Sequence, residues 1–352
     1  MQKSPNNPRF PRNSLLPPGT LCWVLTDGKI GDEVQCLGIA EALGLNPERR
    51  HVAPRGRYAW AMPYGPIDPH EAPGHAGSPL APPFPDLAIA AGRRAVPYLR
   101  ALKRASKGAT FTVFVKDPYW SRQAMDLIVV PEHDRLRGAN IFAAVTPANR
   151  LTASVLAAER AAPNLRIAGL PRPRVALVLG GNSQHHRFEK HDIDALAAIA
   201  LDVAQSGCGL MVTPSRRTPP ILLEAIVAAL GQLPDTLKRN VFLWTGEEPN
   251  PYAAILANAD AIVVTGDSVN MVGEVTATGA PVHVYEPSGG HAKIKVYLDR
   301  LQSQGAIRRW RGRLEDWRYQ PINATPLIAQ EIARRYSAFR ASHPTLEDRA
   351  RI

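Results

Sequence analysis

Three stretches in the second half of the chain combine residue types suited to holding a phosphorylated ligand. Gly180, Gly181, Asn182 and Ser183 directly follow the apolar run Val175–Leu179. Paired glycines let backbone N–H groups approach a diphosphate, and a following helix adds a favourable dipole. A tight turn without a ligand has the same residues. His185, His186 and Arg187 come next. Adjacent histidines point in different directions and no carboxylate is suitably spaced, so no metal site is expected there.

The second stretch is Thr213-Pro214-Ser215-Arg216-Arg217-Thr218. Ser215, Arg216 and Thr218 offer hydroxyl and guanidinium donors to phosphate oxygens. The competing reading is a capped helix start before Pro219-Pro220 with solvated arginines. The third and most informative stretch runs from Thr265 to Glu274 and includes Ser268, Asn270 and Met271. Ser268 can cap a helix whose first amides receive an anion. Glu274 lies about one and a half turns further on, where a carboxylate suits two ribose hydroxyls. An exposed surface glutamate is the alternative.

In the first half, Asp27-Gly28-Lys29-Ile30-Gly31-Asp32-Glu33 puts carboxylates where a helix starts. The helix dipole alone favours acids there. Asp32, directly after Gly31, could also take a proton from an acceptor hydroxyl. Asp27, Gly28, Gly31 and Glu33 complete this acceptor-side loop. The glycine spacing is not that of a dinucleotide fingerprint, so a nicotinamide enzyme is not supported. Arg100, Lys103, Arg104 and Lys107 recur at helical spacing. They form either a solvated face or a contact for an anionic membrane.

These turns need elements to position them. The chain of 352 residues suggests two domains by length. Apolar runs at Leu21–Leu25, Leu87–Ala91, Phe111–Val115 and Asp126–Val130 alternate with helical spacing. The alternation restarts after Leu170-Pro171-Arg172-Pro173-Arg174, with strands beginning near Val175, Gly209, Val241, Ala261 and Pro281. Buried strands alternating with helices imply a parallel sheet covered on both faces, here twice. The expected organisation is a flexible tail at 1–18, a Rossmann-like domain at 19–170, a second at 171–320, and a C-terminal segment at 321–352. That last segment holds a helix that packs back on the first domain, and its end, 345–352, frays. Residues 54–85 read as a proline-rich insert, pinned to the body by Trp60, Met62 and Tyr64.

Composition sets outer limits. The formal charge of +11 favours anionic partners. No nucleic-acid motif appears and the basic residues are scattered, so nucleic acid is not an expected partner. Three cysteines, none in a CxxC pair, rule out a disulfide framework and suggest a reducing compartment. The basic start admits a transit peptide, but its prolines oppose an amphipathic helix. No stretch reaches the roughly 20 apolar residues of a membrane helix. A cytoplasmic protein, peripheral at most on the inner face of a membrane, is expected.

The stretch from Trp23 through Gln35, Pro131-Glu132-His133-Asp134, Thr213–Pro219 and Gly266–Glu274 resemble the bacterial and plant "elongated mitochondria" fission family. The second half is also similar to the undecaprenyl-linked N-acetylglucosaminyltransferase of peptidoglycan synthesis. The similarity lies in Gly180-Gly181-Asn182-Ser183-Gln184, Ala259–Val264, Ser268, Glu274 and Thr278–Pro281. The resemblance covers about Leu21 to Trp310. It implies a GT-B fold, two doubly wound α/β domains facing a cleft. It further implies a metal-independent glycosyltransferase with no permanently bound cofactor and a UDP-type nucleotide sugar as co-substrate, Glu274 on its ribose. An anionic membrane or a lipid-linked acceptor would be the second partner. Asp32 stands where both families usually carry histidine or, in the fission family, asparagine, and Val34 where asparagine is expected. The plant relatives also imply another role, an adaptor recruiting a dynamin-like partner.

Overall fold

The structure, a computed structural model, describes residues 14–342. The expected N-terminal tail lies outside the described residues as far as position 13, as does the fraying end at 345–352. The rest of the tail is not loose. The Leu15 N–H donates to Leu43 O at 3.0 Å, and Leu16 is buried in the core. The chain divides into two compact units, residues 1–150 with 324–352, and 151–323.

The first unit opens with β1 (Cys22–Thr26), fully buried, and α1 (Ile30–Ala42). The helix starts at Ile30, so Asp32 and Glu33 are first-turn residues facing its positive end. β2 (Glu48–His51) and α2 (Gly56–Ala61) follow. Then come β3 (Leu87–Ala91), α3 (Ala95–Ala105), β4 (Phe111–Val115), β5 (Leu127–Pro131) and β6 (Ile141–Ala144). All pair in parallel, in the order β2-β1-β3-β4-β5-β6. The strand order therefore reverses between β1 and β3.

Two expectations about surface features are corrected in this unit. Met62 pins the proline-rich insert, as does Leu80, but Trp60 and Tyr64 point into solvent. Buried Asp68 ties the insert further, accepting from the Arg55 side chain at 2.7 Å and from two backbone amides. That bonding holds its carboxyl well below the usual range. The basic face of α3 is broken at its centre. Lys103 turns inward to Asp126 at 2.5 Å and Thr110 O at 3.1 Å, and Lys107 lies past the end of the helix.

The second unit begins with α4 (Ala153–Ala161) and α5 (Leu165–Ala168). The division thus falls after Arg150 rather than at the Pro171–Pro173 segment. The reason is local bonding: the Arg160 guanidinium donates to Ala257 O at 2.8 Å, and Asn258 donates to Glu159 O at 3.2 Å. The unit continues with β7 (Arg174–Leu179), α6 (Lys190–Gln205), β8 (Gly209–Pro214), α7 (Pro220–Gly231), α8 (Asp235–Lys238) and β9 (Val241–Leu243). After these come α9 (Tyr252–Asn258), β10 (Ala261–Thr265), α10 (Val269–Thr276), β11 (Val282–Tyr285), α11 (Ala292–Ser303) and β12 (Ile307–Arg309). The sheet is again parallel, in the order β12-β11-β10-β7-β8-β9, and reverses between β7 and β10. Last in the chain, α12 (Thr325–Ser342) belongs to the first unit. There Ile328, Ala329, Ile332, Tyr336 and Phe339 enter the core with Val24, Ile39 and Phe111. Among the described residues no helix is long and apolar enough to cross a membrane.

Candidate active site

In open parallel sheets, ligands bind beyond the carboxyl ends of the strands where the strand order reverses. Each unit has such a point, and the stretches singled out in the sequence fall there.

In the second unit the reversal lies between the ends of β7 and β10. The Gly180 N–H donates to Thr265 Oγ1 at 2.7 Å, and the Gly181 N–H to Asp267 Oδ2 at 3.0 Å. Thr265 Oγ1 donates to the other Asp267 oxygen at 2.7 Å, and Arg217 pairs with the same carboxylate at 3.2 Å. The Asn182 N–H donates to Arg217 O, and the Ser183 N–H to His186 O. All four amides of the glycine turn are therefore engaged within the protein, which corrects the expectation that they reach a diphosphate. Both glycines are needed for close approach. A methyl at Gly180 would overlap the Asp267 carboxylate, and one at Gly181 the backbone of Arg217. Ser215 and Thr218 brace the same turn. Thr218 Oγ1 donates to Gly180 O at 2.5 Å, and the Ser215 N–H donates to Leu179 O at 2.9 Å. Arg216 is exposed and has no carboxylate partner among the described residues. Asp267, the hub of this network, stood in the motif but was not singled out by sequence. Its signal was the pairing of a small hydroxyl residue and an acid just after a strand.

Next to this hub, Ser268 caps α10, its hydroxyl accepting from the Met271 N–H at 3.4 Å. The first amides of a helix have no intrahelical acceptor and face outward. Asn270 and Met271 lie half-buried in that first turn. Glu274 is not the exposed surface residue that the alternative reading required. It is half-buried and accepts a 2.8 Å hydrogen bond from the Tyr252 hydroxyl on α9. Burial pushes its carboxyl up to about 7, against the opposing pull of that hydrogen bond. Tyr252 lies 22 positions earlier, and no spacing rule pointed to it.

A cavity of about 270 Å³ adjoins this edge, lined by His186, Gly266, Glu286, Gly289, His291 and Lys295 among others. His185 and His291 place their rings 4.4 Å apart, and the Gly290 N–H donates to His185 O at 2.7 Å. Burial holds His186 below its ordinary pKa. A larger cavity of about 1090 Å³ lies at the opposite edge, near the amino ends of β7, β10 and β11, where Arg172 pairs with Asp260. It touches none of the strand-end turns.

In the first unit the reversal lies between β1 and β3. Asp27 follows β1, with its side chain 1% exposed. Lys29 Nζ stands 3.5 Å from Asp27 Oδ2, which accepts no hydrogen bond among the described residues. Asp32 forms an ion pair with Lys116, just after β4. Glu33 pairs with Arg49 at 3.3 Å, turned to the sheet edge rather than to the pair of aspartates. The two aspartates converge on Gly92, after β3: a side chain there would come within 3.2 Å of Asp32 Oδ2 and 3.5 Å of Asp27 Oδ1. Gly92 has φ +87°, and Gly28, which turns the loop after Asp27 beside His51, has φ +83°. Gly31 lies exposed in the first turn of α1. Two carboxylates, each with a lysine beside it, and an open floor can position a hydroxyl and receive its proton. Lys116, 84 positions from Asp32, was not foreseen.

The sequence pattern of the family described as mitochondrial fission ELM1 matches residues 30–336. The chain belongs to the mitochondrial fission ELM1 family. Within this family it is 29% identical over 280 residues to the Mitochondrial fission protein ELM1 of Arabidopsis thaliana. That alignment covers 72% of this chain and 64% of the plant protein, so the chain spans somewhat less than two thirds of that relative. It is 25% identical over 293 residues to the Uncharacterized protein RP120 of Rickettsia prowazekii, covering 70% of this chain and 79% of that protein. Among solved structures it is similar to the UDP-GlcNAc 2-epimerase of Methanocaldococcus jannaschii, with a TM-score of 0.54 and 12% identity over 90% of this chain and 99% of that one. The fold of this ELM1-family chain is the α/β, two-unit architecture of the GT-B class.

Proposed function

We propose that this ELM1-family chain is a glycosyltransferase. Its second unit takes a nucleoside-diphosphate sugar of the UDP type, and its first unit takes the acceptor. The observation that carries this reading is the pairing, on α10, of a Ser268-capped positive end with Glu274 less than two turns away. The end suits a diphosphate and the carboxylate suits the two hydroxyls of its ribose. A structural relative whose name specifies a UDP-sugar supports the ligand class.

In the transfer, the acceptor oxygen bonds to the anomeric carbon while the bond from that carbon to the diphosphate oxygen breaks. The bonding pair leaves with the diphosphate, and the acceptor proton passes to a carboxylate. Asp32 is the residue assigned to that proton, with Asp27 beside it. The charge developing on the diphosphate is met by the α10 amides and the free Arg216 guanidinium, so the reading requires no metal. Gly180, Gly181, Asn182, Ser183, Thr265, Ser215 and Thr218 serve by holding the Asp267–Arg217 hub beneath the ligand.

Thermal unfolding with UDP, GDP, ADP and TDP tests the donor half. One of these raises Tm, and Glu274→Ala removes the rise. A flat Tm across all four overturns the proposal. In a transfer assay, Asp32→Asn lowers turnover by about 100-fold or more without changing the nucleotide-induced rise.

A further inference from the structure

Four large aromatic side chains stand in solvent at one edge of the first unit. Trp60 is 85% exposed, Tyr64 64%, Tyr119 66% and Trp120 46%. They come from two loops, the segment after β2 and the loop after β4, joined by an edge-to-face contact of Tyr64 with Trp120 at 5.8 Å. The backbone of the second loop is held in an unusual conformation. Tyr119 and Ser121, on either side of Trp120, have φ of +61° and +52°. Such conformations in residues other than glycine are costly and persist where the surroundings impose them. In this loop the Tyr119 and Trp120 rings both stand outward.

The charge of the same edge is unbalanced. Its acids are answered: Asp27 by Lys29, Asp32 by Lys116, Glu33 by Arg49 and Asp117 by Arg122. In the insert, Asp68 is paired with Arg55, whereas Glu71 accepts only from neutral donors, the Tyr98 hydroxyl and the Ala53 N–H, among the described residues and keeps its charge. Glu132 and Asp134 follow β5, one strand further along. Arg57, one turn from Trp60 on α2, has no carboxylate partner among the described residues, and neither do Arg93 and Arg94 after β3. The edge thus presents protruding indole and phenol rings beside unneutralised guanidinium groups.

We propose that this edge of the first unit docks on an anionic phospholipid bilayer, with Trp60, Tyr64, Tyr119 and Trp120 entering the headgroup layer and Arg57, Arg93 and Arg94 meeting its phosphates. Tryptophan and tyrosine favour that layer because one end of each ring is apolar and the other hydrogen-bonds. Surface-bound lipid phosphates attract such cations. A bilayer also fits the shape. A ring as exposed as Trp60 has little protein support, so it suits a soft medium better than a flat, close-packed protein face. Docking here brings the edge carrying Asp27 and Asp32 to the bilayer, so an acceptor hydroxyl there would belong to a membrane lipid or its headgroup. The docking itself does not rest on the sugar-transfer reading.

Flotation of the full chain with vesicles of phosphatidylcholine alone, and with phosphatidylglycerol added, tests it. The chain floats with the anionic vesicles, and bromine-labelled acyl chains quench its tryptophan fluorescence. Trp60→Ala with Trp120→Ala lowers partitioning about tenfold or more. Arg57→Ala and Arg93→Ala each lower it about fivefold and flatten its salt dependence. All four positions are exposed, and an unchanged Tm separates lost docking from lost folding. Arg100→Ala with Arg104→Ala, on the broken face of α3, leaves flotation unchanged. Absence of flotation, equal binding to neutral vesicles, or full binding by the tryptophan double variant overturns the proposal. So does a lipid-free dimer that the same variant disrupts, which would make the patch a contact between copies.

Discussion

The Tyr252 hydroxyl donates a 2.8 Å hydrogen bond to Glu274 and so ties α9 to the helix proposed to hold the nucleotide. The pair opposes two effects at one carboxyl. Burial disfavours the charged form and the phenol favours it, and burial prevails, leaving a group that titrates at about 7.

A pH dependence of stability follows. Below about 4.5, the ordinary glutamate value, Glu274 is protonated in the folded and unfolded chain alike, and the folded state loses nothing. As pH rises from there, the unfolded chain ionises first, so stability falls until the folded carboxyl also ionises near 7. Glu274→Gln removes this fall and is more stable than the parent above pH 7 by on the order of 2 kcal/mol. Urea unfolding at pH 5 and pH 8 measures it. Parallel profiles for the two proteins would show that the carboxyl carries no such cost.

Tyr252→Phe keeps the ring and deletes the donor. The Glu274 carboxyl then moves upward, since the hydrogen bond was lowering it. If ribose needs the ionised form, nucleotide affinity strengthens as pH rises through the midpoint, and the variant shifts that midpoint to higher pH. Calorimetric titration between pH 6 and 9 reads the shift. A lower affinity at every pH with the same midpoint would indicate packing alone.

The two turn glycines respond differently to the same methyl group. Gly180→Ala meets the Asp267 side chain, whereas Gly181→Ala meets the backbone of Arg217. Each costs about 1–3 kcal/mol or more. In a double-mutant cycle, Asp267→Ala recovers part of the Gly180→Ala loss. Arg217→Ala recovers none of the Gly181→Ala loss, because the obstructing oxygen belongs to the main chain. Equal rescue in both cases would contradict the geometry.

Lys103 and Arg104 look equivalent on a helical wheel, yet the structure separates them. Lys103→Met leaves Asp126 with its bonds from Thr112 alone and costs about 1 kcal/mol. Arg104→Met, on the exposed side, stays within about 0.5 kcal/mol of the parent. Chemical denaturation of the two variants compares them directly.

The strands read from apolar runs, β1, β3 to β5 and β7 to β11, announce themselves because both faces of a parallel sheet are covered. β2 does not: Glu48-Arg49-Arg50-His51 is a charged edge strand, the composition that protects a sheet edge from further pairing. β6 and β12 are also edge strands, only three or four residues long. Within the candidate site, residues contiguous in sequence were legible, Ser268 and Glu274 above all. Tyr252, Lys116 and the role of Asp267 were not, because each acts on a partner brought near by the sheet rather than by the spacing of a helix. The glycine turn was found by its composition, but composition cannot tell whether an amide faces a ligand or a neighbouring carboxylate.

The position of α12 bears on how the protein is made. The strands of the first unit are complete by Ala144, but the helix that covers their core, with Tyr336 and Phe339, ends at Ser342. At about 5–20 residues per second, a ribosome needs on the order of 10–40 seconds to span that interval. During that time the nascent first unit has an uncovered apolar face, while the second unit, contiguous from 151 to 323, emerges whole. The half made first is therefore the half completed last. Translation arrest before residue 325 would yield a folded second unit joined to a chaperone-dependent first one.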